Sequence, residues 1–207
     1  WVTGVQTCAL PIFPIDRKAS DVLGKLPDEI CSLIPPSFRI LHVESVLRHN
    51  LYSKFLACQN EIRDQLTALP RHALQSLITK DHITRRDTIE ELVENIVAPK
   101  LTFHGTSNRF VPSIVQNGFL APGAINPQTG EPLPVRCGST YGRGIYSSPS
   151  VEFSLSYSGS EAQPTSPNDF WGLKLLVCAT LMGRPAQMSL EDSWWTRSEP
   201  FPGAHSH

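Results

Sequence analysis

The chain has little net charge to offer a partner. Eighteen Lys and Arg stand against nineteen Asp and Glu in 207 residues, a formal net charge of −1, so there is no basic field to draw in nucleic acid. Cysteines are few and unpatterned. Cys8, Cys31, Cys58, Cys137 and Cys178 are odd in number and scattered, and no two form a C-x-x-C pair. That speaks against a zinc site or a disulfide framework and fits a reducing compartment, with each thiol acting as a small buried hydrophobe. No apolar run is long enough to cross a bilayer: 171–183 is too short and contains Lys174. The apolar patch at 8–15 lacks a basic leader and a cleavage site, so it is not read as a signal peptide, and the expected location is nuclear or cytoplasmic. A G-x-S-x-G nucleophile elbow is absent as well, which leaves a serine hydrolase without support. No internal repeat occurs.

What is present reads as one globular domain with a small extension. Hydrophobic residues make up 40% and charged residues 18%, an ordinary balance for a chain with a real core. Eighteen prolines mark many loops. Residues 1–12, WVTGVQTCALPI, look like translated adapter rather than native protein and are left out of the fold reading. Residues 13–37 form an N-terminal extension with a short, interrupted helical pattern that Pro35-Pro36 stops.

From Phe38 the pattern strengthens. FRILHVESVL alternates and predicts a strand over 38–47. Asn50 is placed to cap a helix over 51–66, with Leu51, Phe55, Cys58, Ile62 and Leu66 at helical spacing. Two shorter helices are expected over 71–79 and 87–97. The second is capped by Asp87 and carries Ile89, Leu92, Val93 and Ile96 as an apolar stripe that packs into the core. His72 and His82 read as solvated. Leu101–His104 is a strand, 109–117 a helix closed by Gly118, and 121–136 a loop rich in Pro, Gly and Asn. WGLKLLVCATLMG, 171–183, reads as a buried strand, while 164–169 and 189–207 read as polar loop.

The chain is organised around YGRGIYSSPSVEFSLSY, 141–157. Gly142 and Gly144 bracket Arg143 and allow unusual backbone or close approach. Ile145 and Tyr146 suit a short strand. Ser148 with Pro149 reads as a helix start, with Glu152 in the first turn. On that helix Val151, Leu155 and Ser158 share one face, and Phe153 and Tyr157 lie four apart on another. Tyr146, Ser154 and Tyr157 would then line one cleft at the strand-to-helix junction. A hydroxyl between two aromatic faces suits a flat, amide-bearing ligand.

LTFHGTS at 101–107, followed about forty residues later by YGRGIYSSP and then Tyr157, resembles the NAD⁺-binding core of the poly(ADP-ribose) polymerase-like ADP-ribosyltransferases. That family carries a His-Gly-Ser/Thr strand, a helix ending in glycine, a variable loop, a Gly-x-Gly-x-Tyr stretch and a Ser-x-x-Tyr helix. The resemblance covers roughly 38–207. The opening of the segment, strand then Asn-Leu-Tyr helix, is similar to the mono-ADP-ribosylating branch. It implies an α+β fold, a split and mostly antiparallel sheet with flanking helices, here lacking its C-terminal strands.

The resemblance also implies the chemistry. NAD⁺ is the co-substrate and no metal is needed. His104 and Tyr146 are the catalytic residues, and His104, Gly105, Thr106, Tyr146, Ser154 and Tyr157 form the NAD⁺ site. In that scheme His104 hydrogen-bonds a ribose hydroxyl. Gly105 offers backbone N–H and C=O to the carboxamide, because no side chain blocks approach. Tyr157 stacks on the nicotinamide, Tyr146 forms the other wall, and Ser154 bonds the carboxamide oxygen. Arg136 meets a phosphate or is simply solvated.

The implied reaction cleaves the nicotinamide–ribose bond and passes ADP-ribose to a protein acceptor, through an oxocarbenium-like state. A catalytically inactive NAD⁺- or partner-binding module of the same fold is the alternative. The family's third residue, a glutamate or in many mono-transferases a hydrophobic residue, sits on a strand near the domain's C-terminus. After 171–183 no further strand is legible, and Glu191, Asp192 and Glu199 do not match that motif. The reading is of a fragment ending before the third motif. Neither nucleic acid nor membrane is expected as a partner.

Overall fold

A computed structural model describes residues 19–46, 48–79, 87–127, 129–133, 144–159, 172–186 and 203–206. Helices α1 (Ala19–Leu23) and α2 (Pro27–Cys31) come first, then α3 (His49–Thr67), α4 (Arg71–Ser76) and α5 (Ile89–Val97). Strand β1 (Lys100–Gly105) leads through a 3-10 turn at Asn108–Phe110 into α6 (Val111–Asn117), followed by α7 (Val151–Leu155) and β2 (Leu175–Thr180). The architecture is α+β: helices flank an antiparallel β1–β2 pair, with Lys100 opposite Thr180 and Gly105 opposite Leu175.

The helical stripes become core as their spacing requires. Leu51, Phe55, Ile62 and Leu66 of α3 are buried, as are Leu92, Val93, Ile96 and Val97 of α5. Cys58 is half-buried and Ile89 exposed. With Leu74, Ala179 and Leu181 these side chains form one apolar cluster. Full burial of each large one stabilises by about 1.5–3 kcal/mol relative to exposure. Across α3 and α5, Arg63 Nε donates to Glu94 Oε1 at 2.6 Å. That bond holds the Glu94 carboxyl below its usual value, but the pair is exposed and adds little.

Helix starts fall near, not on, the expected residues. Asn50 lies inside the first turn of α3, because the Arg48 carbonyl already accepts from Leu51 and Tyr52 N–H. Thr88, not Asp87, caps α5: its hydroxyl accepts from Glu91 N–H, and Glu91 reaches back to Thr88 N–H. Ser150, not Ser148, caps α7 and accepts from Phe153 N–H at 3.2 Å. Ser148 is unavailable as a cap because its backbone exchanges two hydrogen bonds with Phe103, at 2.7 and 2.9 Å.

The strand expected over 38–47 is absent from 38–46, where the chain is neither strand nor helix. Phe38, Ile40, Leu41 and Val43 are exposed. Alternation supplies a face to bury, but a strand also needs a ladder partner, and no described residue supplies one here. Ile145 and Tyr146 likewise form no strand; only Ser148 pairs with β1. At the other end of the chain, 203–206 docks on 182–186. Arg184 N–H donates to His205 Nδ1 at 2.9 Å, and Ser206 Oγ donates to the Met182 carbonyl at 2.8 Å. His205 Nε2 meets Gln65 Oε1 of α3 at 2.9 Å. Gly142, Arg143, Arg136, His82, Glu191, Asp192 and Glu199 lie outside the described residues, as do 1–12 and the loop at 164–169.

Candidate active site

Strand β1 sorts its side chains by period two. Phe103 is buried against Val151 and Leu155 of α7, with Leu101, Leu175, Val177, Ile30 and Ile34 around it. On the opposite face the buried Thr102 Oγ1 meets Thr180 Oγ1 at 2.7 Å, and His104 follows two residues on. Phe103 is opposite Val177 on one edge of β1 and Ser148 on the other. The 144–148 segment is thereby laid along the strand beside His104.

The imidazole of His104 lies 2.7 Å, through Nδ1, from the backbone carbonyl of Tyr146. A carbonyl only accepts, so Nδ1 carries the proton. Burial pushes the His104 pKa below the ordinary imidazole value; the Tyr146 carbonyl bond opposes this and is the weaker influence. The ring is therefore neutral near pH 7, and Nε2 presents a lone pair. Phe119 packs edge-to-face on the same ring, centroids 4.7 Å apart and planes at 73°.

Gly105 is required at its position for a backbone reason. A Cβ there would lie 1.7 Å from the Ser154 carbonyl oxygen and 3.0 Å from Ser158 Oγ. Helix α7 thus sits directly on the end of β1. Two serines fasten it. Ser154 Oγ, buried, donates to the Phe103 carbonyl at 3.0 Å, and Ser158 Oγ donates to the Lys174 carbonyl just before β2 at 2.9 Å. Beyond Gly105, the half-buried Thr106 accepts from Gly159 N–H at 3.4 Å. Asn108 Nδ2 donates to the Gly172 carbonyl at 2.9 Å.

All six expected site residues fall within described segments. His104 and the Tyr146 backbone are in direct contact, and so are Gly105 and Ser154. Tyr157 stands exposed one turn after Ser154, its ring edge-to-face with Phe153 at 5.4 Å. The Ser154 proton is spent on Phe103; toward a ligand this hydroxyl keeps only its acceptor lone pairs unless it turns. Phe119, Ser158 and the Phe103 carbonyl were not singled out as site residues from sequence. The signals were the glycine that closes α6 and the helical register of Ser158 with Val151 and Leu155. Among the described residues no group of three or more His, Cys, Asp or Glu is placed to hold a metal ion.

The geometry thus brings together a strand-borne His-Gly-Thr, the backbone of Tyr146 and a Ser-x-x-Tyr helix. The family model for the poly(ADP-ribose) polymerase catalytic domain matches residues 35–206, and the chain belongs to that family. Domains of this family use NAD⁺ as a co-substrate in ADP-ribosylation. No curated protein and no solved structure matches the chain.

Proposed function

We propose that this chain transfers ADP-ribose from NAD⁺ to a protein acceptor, cleaving the nicotinamide–ribose bond. The observation that carries the reading is the His104 Nδ1 bond to the Tyr146 carbonyl. It joins the two separated halves of the motif and leaves Nε2 of a neutral imidazole to accept a hydrogen bond from a ribose hydroxyl. The exposed Tyr157 ring offers a stacking surface for nicotinamide, worth about 1 kcal/mol beyond the area it buries. Gly105 lets the end of β1 come close to other backbone. The residues named here bind and orient the co-substrate; they supply no nucleophile of their own.

Labelling of a protein acceptor from NAD⁺ tests this. His104→Ala is expected to abolish it, and so is Tyr146→Ala, which keeps the carbonyl but removes the ring expected to wall the site; unchanged labelling in folded His104→Ala overturns the assignment. Thermal stabilisation by NAD⁺ without any release of nicotinamide would instead identify a binding module.

A further inference from the structure

Helix α6 ends at Gly118 with φ 81°, in the left-handed region that glycine enters without cost. The next residue, Phe119, comes to rest on His104, fifteen positions earlier in the chain. Phe119 is half-buried and belongs to neither apolar cluster; its described ring partner is the imidazole. After it, 123–127 bonds back to 129–133. Gly123 N–H donates to the Leu133 carbonyl, Leu133 N–H to Ala124, and Asn126 N–H to Glu131, all at 2.8–2.9 Å. Phe119 thus lies between α6 and this self-bonded loop, set against the ring that the transferase reading makes catalytic.

An imidazole held by one hydrogen bond can still swing about its χ angles. Two contacts at different parts of the ring remove that freedom: the Tyr146 carbonyl at Nδ1 and the edge-to-face packing of Phe119. We propose that Phe119 is a positioning residue for His104, holding the imidazole against the Tyr146 carbonyl as the Nδ1–H tautomer and so keeping Nε2 as the ring's acceptor. Burial dominates the protonation behaviour of this ring, and no charged side chain among the described residues contributes to it. A packed aromatic at the ring is one source of that burial. The inference rests on the transferase reading for the role of Nε2, but not for the state of the ring.

The test is nuclear magnetic resonance of the His104 ring in the whole chain without NAD⁺, paired with NAD⁺-dependent labelling across pH. In the unsubstituted chain Nδ1 should be the protonated nitrogen and the ring should titrate below the ordinary imidazole range. Phe119→Ala is expected to mix the tautomers, raise the midpoint toward the ordinary value, lower labelling by about tenfold or more, and move the acid limb of the pH profile upward. Phe119→Tyr should restore all four, and it carries the test if Phe119→Ala does not fold. An Nε2–H tautomer in the unsubstituted chain overturns the proposal. So do an unchanged titration and pH profile in folded Phe119→Ala. If the ring responds as expected while the unsubstituted chain never labels an acceptor, the positioning role stands and the transferase reading falls.

Discussion

In the α3–α5 cluster, Phe55, Ile62, Leu66, Leu92, Val93 and Ile96 meet through apolar area. At the β1–α7 junction the meeting is between a glycine Cα, a serine hydroxyl and two backbone carbonyls. The first kind of contact is non-directional and tolerates exchange of one apolar side chain for another of similar volume. The second depends on single atoms within a few tenths of an ångström. The cluster therefore governs how stable the domain is, and the junction governs whether its site has a shape at all.

Substitutions can break that contrast. The largest loss of stability is expected from Phe55→Ala, about 3–5 kcal/mol, because the side chain is 1% exposed. Phe55→Leu should recover most of it, and denaturant unfolding reads both. Gly105→Ala adds one methyl group, yet it should cost about 1–3 kcal/mol and take NAD⁺-dependent labelling with it, since the new Cβ meets backbone that cannot move aside. Retained labelling in Gly105→Ala would show that α7 can slide on β1. Ser154→Ala is milder. The Phe103 carbonyl keeps its bond from Ser148 N–H, so about 0.5–1.5 kcal/mol is expected rather than the penalty of an orphaned buried acceptor.

The smallest effect sharpens the comparison through pH. Both His104 and His205 titrate below the ordinary imidazole value. Burial is the main cause in each; at His205 Arg184 adds to it and Glu61 opposes it. The unfolded chain then binds protons first, so the stability these two rings contribute is complete above about pH 6.5 and is lost as pH falls from there toward their lower folded values. His205 Nδ1 accepts the Arg184 N–H, so protonation there removes an acceptor. His205→Gln is expected to flatten the fall in unfolding free energy as pH drops below about 6.5; an unaltered slope would assign the fall to other groups.

The contrast also governs what could be read in advance. The stripe from Leu51 to Leu66 was legible because helical period is local, and β2 because a short apolar run between Gly172 and Gly183 admits few other fates. The order of His104, Gly105, Tyr146, Ser154 and Tyr157 was legible as a motif. Their contacts were not, since the bond of Ser154 to Phe103 and of Ser158 to Lys174 depends on how a helix is set down on a strand. Phe38–Val43 misled because alternation describes a face and says nothing of a neighbour. Asn50, Asp87 and Ser148 are good capping residue types within two positions of the true caps; the backbone bonds of Arg48 and Ser148 decided between them. Phe119 was hidden inside a loop because its placement rests on one φ angle at Gly118.

The pairing of Lys100 with Thr180 and Gly105 with Leu175 sets an order of assembly. Helices α3 and α5 meet across about thirty residues of intervening sequence (Arg63 to Glu94), whereas β1 must wait for β2, seventy to eighty residues downstream. Loop closure of that length is slow relative to local helix formation. During synthesis α3 and α5 can therefore meet while His104 still lacks its sheet, although their cluster is complete only when Ala179 and Leu181 join it. Pulsed hydrogen exchange during refolding should find α3 and α5 amides protected before those of β1; simultaneous protection would mean that strand pairing nucleates the domain. On that order a nascent chain stalled before Leu175 would carry His104 and Gly105 on a strand still without its ladder partner.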